Sequence, residues 1–220
     1  MVEKILEYIS IFLALIIVLP LHEFAHAFAA VKSGDATPKL YGRYTLNPMA
    51  HFDTVGLVCF VLLGFGWAKP VPINPNNFKK YRAGCFWTSI AGVLANYILA
   101  FLVFPLIIFS FYIPQFGYFT LVIQATLMYV FELSLVFFVF NLIPVYPLDG
   151  FRVLTVFNKK RGSIYQFLQN QGVLVLYFLF FLSIFADFTG LWQLDILSMF
   201  INFIKGYLEI PITLFWGLIF

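Results

Sequence analysis

Charge is what this sequence has least of. Only 10% of its 220 residues are Asp, Glu, Lys or Arg, against 62% hydrophobic, whereas a soluble domain is nearer a quarter charged. So few polar groups cannot cover a water-facing surface, and lipid must cover part of the molecule. Cysteine is also scarce. Cys59 and Cys85 lack zinc-finger spacing, make no disulfide framework and read as small apolar packing residues. There is no internal repeat, no low-complexity tract and no appended soluble domain, and no nucleic-acid partner is expected. The features of a cleavable leader are missing too. The apolar run Ile5–Leu21 follows Glu3, Lys4 and Glu7 rather than a basic start, and no small-residue cleavage site follows it, so a retained helix is expected.

What the chain does have is long apolar stretches. Four can each cross a bilayer at roughly 20 residues: about Ile5–Val31, Tyr81–Tyr112, Phe119–Ile143 and Gly172–Phe188. A fifth, Leu191–Phe220, is interrupted by Asp195, Lys205, Gly206, Glu209 and Pro211; spanning, interfacial and kinked arrangements all fit it. Val55–Trp67 is too short to cross as a helix, holds Gly56, Gly64 and Gly66, and is rich in β-formers, so it reads as a re-entrant strand or half-helix shielded by protein. Gly34–Asp53 suits a surface β-hairpin. The stretch 69–82, with three prolines and three asparagines, suits an exposed or clamping loop. The expected fold is an all-α polytopic membrane protein of about 4–6 spans, with a small re-entrant or surface β element between the first and second.

The cations support this layout. Eleven of the 13 Lys and Arg follow the first span, precede the second or follow the third, and the loops 110–118 and 186–195 hold none. If Val55–Trp67 dips in and returns, all eleven share one face, which the positive-inside rule makes cytoplasmic. The N-terminus is then outside. Trp67, Tyr81, Trp87 and Trp192 suit interfacial belts.

Two of the three histidines fall in one motif. His22, Glu23, Phe24, Ala25 and His26 form H-E-x-x-H inside an apolar helix, so both imidazoles share a face and can reach one ion. Glu23 points about 100° away, toward a water on that ion. Ionisable groups at membrane depth are costly and usually functional, which weighs against two satisfied core histidines. A catalytic zinc site needs a third protein ligand and an open position. The third span ends on the same face as the first, in NLIPVYPLDG (141–150), whose prolines stop the helix just before Asp149. Asp149 either caps the helix that follows or supplies the missing ligand. Depth, side and the need for a third ligand favour the second.

Together, HEFAHAF (22–28), LNPMAHFD (46–53), GWAKPVPINPNNF (66–78), AGVLAN (91–96) and NLIPVYPLDGFR (141–152) resemble the site-2 protease family of intramembrane zinc proteases, in its compact branch without PDZ or CBS domains. The likeness covers roughly residues 1–160, expected to form an intramembrane metalloprotease core, with 161–220 adding C-terminal membrane helices. It implies one zinc ion per chain bound by His22, His26 and Asp149, with Glu23 as catalytic acid/base. It further implies that Asn141 and Asn96 hold the substrate or its oxyanion. A membrane-spanning protein or peptide would be the substrate, and the cytoplasmic membrane the location, with the site near its cytoplasmic side. Val93, Tyr146 and Phe151 depart from the family's common residues without touching a ligand position. The oligomeric state is left open.

Other readings remain at this stage. Asn96 and Asn141 also suit interhelical hydrogen-bonding, and His51 with Asp53 suits turn stabilisation. Glu132, near the middle of the third span, is either structural or lines a water path. A prenyl-protein peptidase would want a glutamate as third ligand, and neither Glu132 nor Glu209 has the context for it. A silent membrane chaperone or metal carrier would have no use for Glu23 beside two ligands.

Overall fold

The computed structural model describes residues 2–63, 66–158 and 160–220. Gly64, and Lys159 among the eleven cations that flank the first three spans, lie outside the described residues. The described chain is helical: α1 (Val2–Ser33), α2 (Thr37–Leu40), α3 (Pro48–His51), α4 (Thr54–Leu63), α5 (Tyr81–Ser110), α6 (Tyr118–Leu142), α7 (Asp149–Phe157), α8 (Ser163–Asn170), α9 (Gly172–Thr189) and α10 (Ile196–Gly217). Of these, α1, α5, α6, α9 and α10 are long and apolar enough to cross a membrane. The protein is a multi-pass membrane protein. Its outward side chains, such as Phe12, Ile17, Ile98, Leu102, Phe178 and Phe181, are large and apolar, as hydrocarbon requires and water would not tolerate.

The bundle is built on α1, α5 and α6, which pack on one another. Two rows of residues spaced by four bring α1 and α5 together. On α1 the buried row is Ser10, Ala14, Val18, His22, His26 and Ala30. On α5 it is Gly84, Thr88, Gly92, Asn96 and Ala100. Rows at this spacing form the ridges by which helices interlock, and small residues along them let two backbones approach closely within lipid. Ala14, Val18, Ala100, Val103, Val130, Phe131 and Leu135 form the shared core, and Ile212 brings α10 onto it. Val139, Leu197 and Ile201 join α6 to α10. Val145, Leu148 and Leu176 join the loop after α6 to α9.

At one end of this bundle, α1 stops at Gly34, whose φ of +112° suits glycine and turns the chain away. The side chain of Asp35, fully buried, then gathers the neighbouring loops. Its Oδ1 accepts from the Thr37 backbone N–H (3.0 Å) and the Asn77 amide (2.8 Å), and its Oδ2 from the Asn74 N–H (2.7 Å). The Lys79 N–H donates to the Ser33 carbonyl at 2.9 Å. The start of α5 is thereby fixed beside the end of α1.

Two expectations are corrected here. Residues 34–53 form turns and the short helices α2 and α3, with no hairpin. Asn47 caps α3 by accepting from the Met49 N–H at 3.1 Å, with Pro48 at the first helical position, a local start signal stronger than the alternation that suggested strands. Residues 54–63 are helical, so the re-entrant strand is replaced by the half-helix alternative. A helix satisfies its own backbone, which outweighs the β-propensity of Val and Phe in apolar surroundings. Among the described residues β-pairing is limited to one isolated antiparallel bridge, Phe52 with Ala68.

Candidate metal centre

Helical spacing puts His22 and His26 on the buried row of α1, and the turn after α6 brings Asp149 to them at the start of α7. The three are 6%, 3% and 5% exposed. The Nε2 atoms of His22 and His26 are 3.0 Å apart, and Asp149 Oδ2 lies 2.9 Å from His26 Nε2 and 3.4 Å from His22 Nε2. Ligands about 2.0–2.1 Å from one tetrahedral zinc stand roughly 3.3 Å from each other, and this triangle is close to that size. Asp149 sits in the first turn of α7, but its carboxylate faces the imidazoles instead of capping that helix.

The outer face of each imidazole is also engaged. His26 Nδ1 lies 2.6 Å from the Thr88 carbonyl, to which it donates, leaving Nε2 with its lone pair. His22 Nδ1 lies 3.1 Å from the carboxamide of Asn96, which is fully buried. The Asn96 Oδ1 has no partner. Amide nitrogen and oxygen are interchangeable in shape, and with Oδ1 facing the ring, His22 Nδ1–H would donate to it. That orientation satisfies the orphaned oxygen and frees the His22 Nε2 lone pair. Two lone pairs and a carboxylate then converge on one point, which a cation satisfies. Gly92 makes room for them: a Cβ there would collide with both imidazoles.

Glu23, next to His22 and partly buried, accepts at Oε2 from the Val71 N–H at 3.2 Å. Pro70 and Pro72 flank Val71 and have no N–H of their own. The segment is held at both ends, by the Lys69 N–H on the His51 carbonyl (2.7 Å) and by Asn74 on Asp35. Arg152 lies 3.8 Å from Asp149 Oδ1. Beside the centre runs an open groove of about 1120 Å³, whose lining includes Val71, Arg82, Thr88, Tyr146, Arg152 and Arg161.

The structure therefore brings His22, His26 and Asp149 together, with Glu23 adjacent. It places Asn96 behind His22, fully buried. Asn141 is half-buried near the end of α6, where its amide donates to the Phe137 carbonyl of the same helix at 3.1 Å. His51 is fully buried and closes a turn through the Thr45 carbonyl at 2.7 Å, and Asp53 accepts from the Gly56 N–H at 2.9 Å at the start of α4. Glu132 pairs with Lys205 of α10. Thr88 and Gly92 escaped sequence reasoning, although their spacing of four with Asn96 was a visible signal.

Fold and centre define a class of protein: a membrane-embedded helix bundle whose buried core can hold a metal ion on two histidines and an aspartate, with a glutamate alongside. The chain belongs to the site-2 protease family. It is 41% identical over 144 residues to YwhC of Bacillus subtilis, covering 64% of this chain and 66% of YwhC. It is 29% identical over 158 residues to Rip2 of Mycolicibacterium smegmatis, covering 68% of this chain and 59% of Rip2. Both relatives carry provisional names as zinc metalloproteases, and the match spans less than the whole of either. No family model matches the chain, and no solved structure matches it significantly.

Proposed function

We propose that this chain is an intramembrane zinc endopeptidase that hydrolyses peptide bonds in or near the spanning segments of membrane-anchored proteins or peptides. The observation that carries this reading is the convergence of His22 Nε2, His26 Nε2 and Asp149 Oδ2, from distant parts of the chain, beside a carboxylate with no ligand role. One zinc ion per chain would rest on these three atoms. When bound, it supplies Lewis acidity that lets a water lose its proton near neutral pH.

The chain's own groups do the rest. Thr88 and Asn96 fix the two rings so that both Nε2 atoms face inward. Asp149 contributes negative charge, and burial keeps bulk water from competing. Glu23 takes a proton as water attacks the scissile carbonyl and returns it to the leaving nitrogen. The Val71 N–H steadies the ionised Glu23 before the first of those transfers and after the second. A helical substrate hides its peptide groups, so the segment to be cut must unwind first. Residues Thr54–Leu63 are helical and offer no strand edge for the unwound segment to pair with. The basic residues flanking α1, α5 and α6 gather at the same end of the bundle as the centre, which supports a cytoplasmic membrane location with the site near its cytoplasmic side.

Replacing Glu23 with Gln tests the reading. Cleavage of a model single-span substrate by purified protein should fall at least about 100-fold, while bound zinc, read by elemental analysis, stays near one per chain. Equal cleavage by wild type and Glu23→Gln would end the protease reading.

A further inference from the structure

We propose that the groove beside the metal centre receives an acidic stretch of the substrate polypeptide, selected by Arg82, Arg152 and Arg161. The inference rests on the protease reading for its occupant and names the kind of substrate. The groove's lining contains these three guanidinium groups and no Asp or Glu. Arg82 donates to the Val156 carbonyl at 3.2 Å, and Arg161 lies over the Tyr165 ring at 5.8 Å. Neither pairs with a carboxylate among the described residues. Arg152 has only Asp149, at 3.8 Å, whose charge the two imidazoles already face. By contrast, Lys205 inside the bundle is matched by Glu132 and Glu209.

The positions of the arginines are informative as well. Arg82 lies in the first turn of α5 and Arg152 in the first turn of α7. A helix N-terminus disfavours a cation there, so neither is explained by its own helix. The positive-inside rule accounts for cations on this side of the membrane, but not for three converging on one cavity whose lining holds no carboxylate. The two helix N-termini add to the field, and the combination attracts an anion. The lining also includes Val71 and Thr88, which bond to Glu23 and His26. An occupant of the groove is therefore in line with the segment being cut, which favours a polypeptide over a lipid headgroup. Tyr81, Tyr146 and Phe151 supply apolar surface for its side chains.

The test is a binding measurement on the Glu23→Gln protein in nanodiscs of zwitterionic lipid, using two single-span peptides. The peptides differ only in a short aspartate or lysine run beside the span. The aspartate peptide should bind about tenfold tighter, as three exposed ion pairs would give, with the gap closing as salt rises. The double change Arg82→Glu with Arg161→Glu should invert the order, and binding of the lysine peptide would also show that the variant is folded. Equal binding of both peptides by the parent protein, or an order unchanged by the double substitution, overturns the proposal. So does loss of discrimination when phosphatidylglycerol is added to the discs, which would mark a headgroup site. No cleavage enters this measurement, so failure of the Glu23 test and failure of this one are separable.

Discussion

Asn96 and Thr88 never reach the point where His22 Nε2, His26 Nε2 and Asp149 Oδ2 meet, yet each lies against the far side of one imidazole. Groups in that position commonly alter metal affinity by about 10–100-fold. Changing Asn96 to Ala should therefore weaken zinc retention by about that factor, measured by competition with a chelator, and Asn96→Asp should recover most of it. A direct role on substrate predicts the opposite pattern, with zinc affinity unchanged and KM raised. The same residues show what was readable in advance. His22, Glu23 and His26 follow from helical period alone, and Asp149 from membrane depth and the need for a third ligand. The sequence marks Asn96 as polar and intramembrane, but it does not say which side of an imidazole it approaches. That depends on how two helices rotate against each other, and the only trace was the run of small and polar residues at every fourth position of α5.

Among the elements, the spanning helices were legible because apolar length is a strong signal, while the connections between them were not. Residues 34–53 were expected to form a β-hairpin and instead hold the short helices α2 and α3, while 55–67, read as a re-entrant strand or half-helix, is helical as far as Leu63. The Asn47–Pro48 pair and the Asp35–Thr37–Pro38 sequence are helix-start chemistry, and they decide local conformation more firmly than alternating apolar residues do. Asp35 carries a testable consequence. Burial opposes its ionisation, but hydrogen bonds from Thr37, Asn77 and Asn74 outweigh this and lower its pKa below the ordinary value. A carboxylate shifted in this direction stabilises the fold above its unfolded pKa of about 3.9, and the stabilisation disappears as pH falls through the lower folded value. Asp35→Asn should therefore melt earlier than wild type at pH 6, by roughly 2 kcal/mol, with the two curves converging as the medium is acidified. A gap that stayed constant with pH would mean the carboxylate is not the source.

At the scale of the whole molecule, the fifth apolar stretch resolves into α10 and closes the bundle against α5 and α6. Its attachment is polar as well as apolar. Lys205 pairs with Glu132 of α6 and with Glu209, the Tyr97 hydroxyl donates to the Leu208 carbonyl at 3.3 Å, and the Trp216 indole donates to the Phe101 carbonyl at 2.9 Å. Carboxylates at membrane depth are tolerable when matched and costly when stranded. Lys205→Met should lower stability by about 3 kcal/mol in a detergent melt. Adding Glu132→Gln should restore part of the loss, because the stranded charge is removed with it. If the double variant melts no higher than the single one, the pair is not what holds α10.

The near-complete enclosure of His22, His26 and Asp149 also governs traffic. An ion lodged between them would be screened from bulk water on most sides, so its departure would depend on the surrounding helices parting. Exchange of isotopically labelled zinc would then work as a stopwatch on the breathing of the bundle, slowing in thick bilayers and quickening in loose micelles, whether or not a substrate is ever cut.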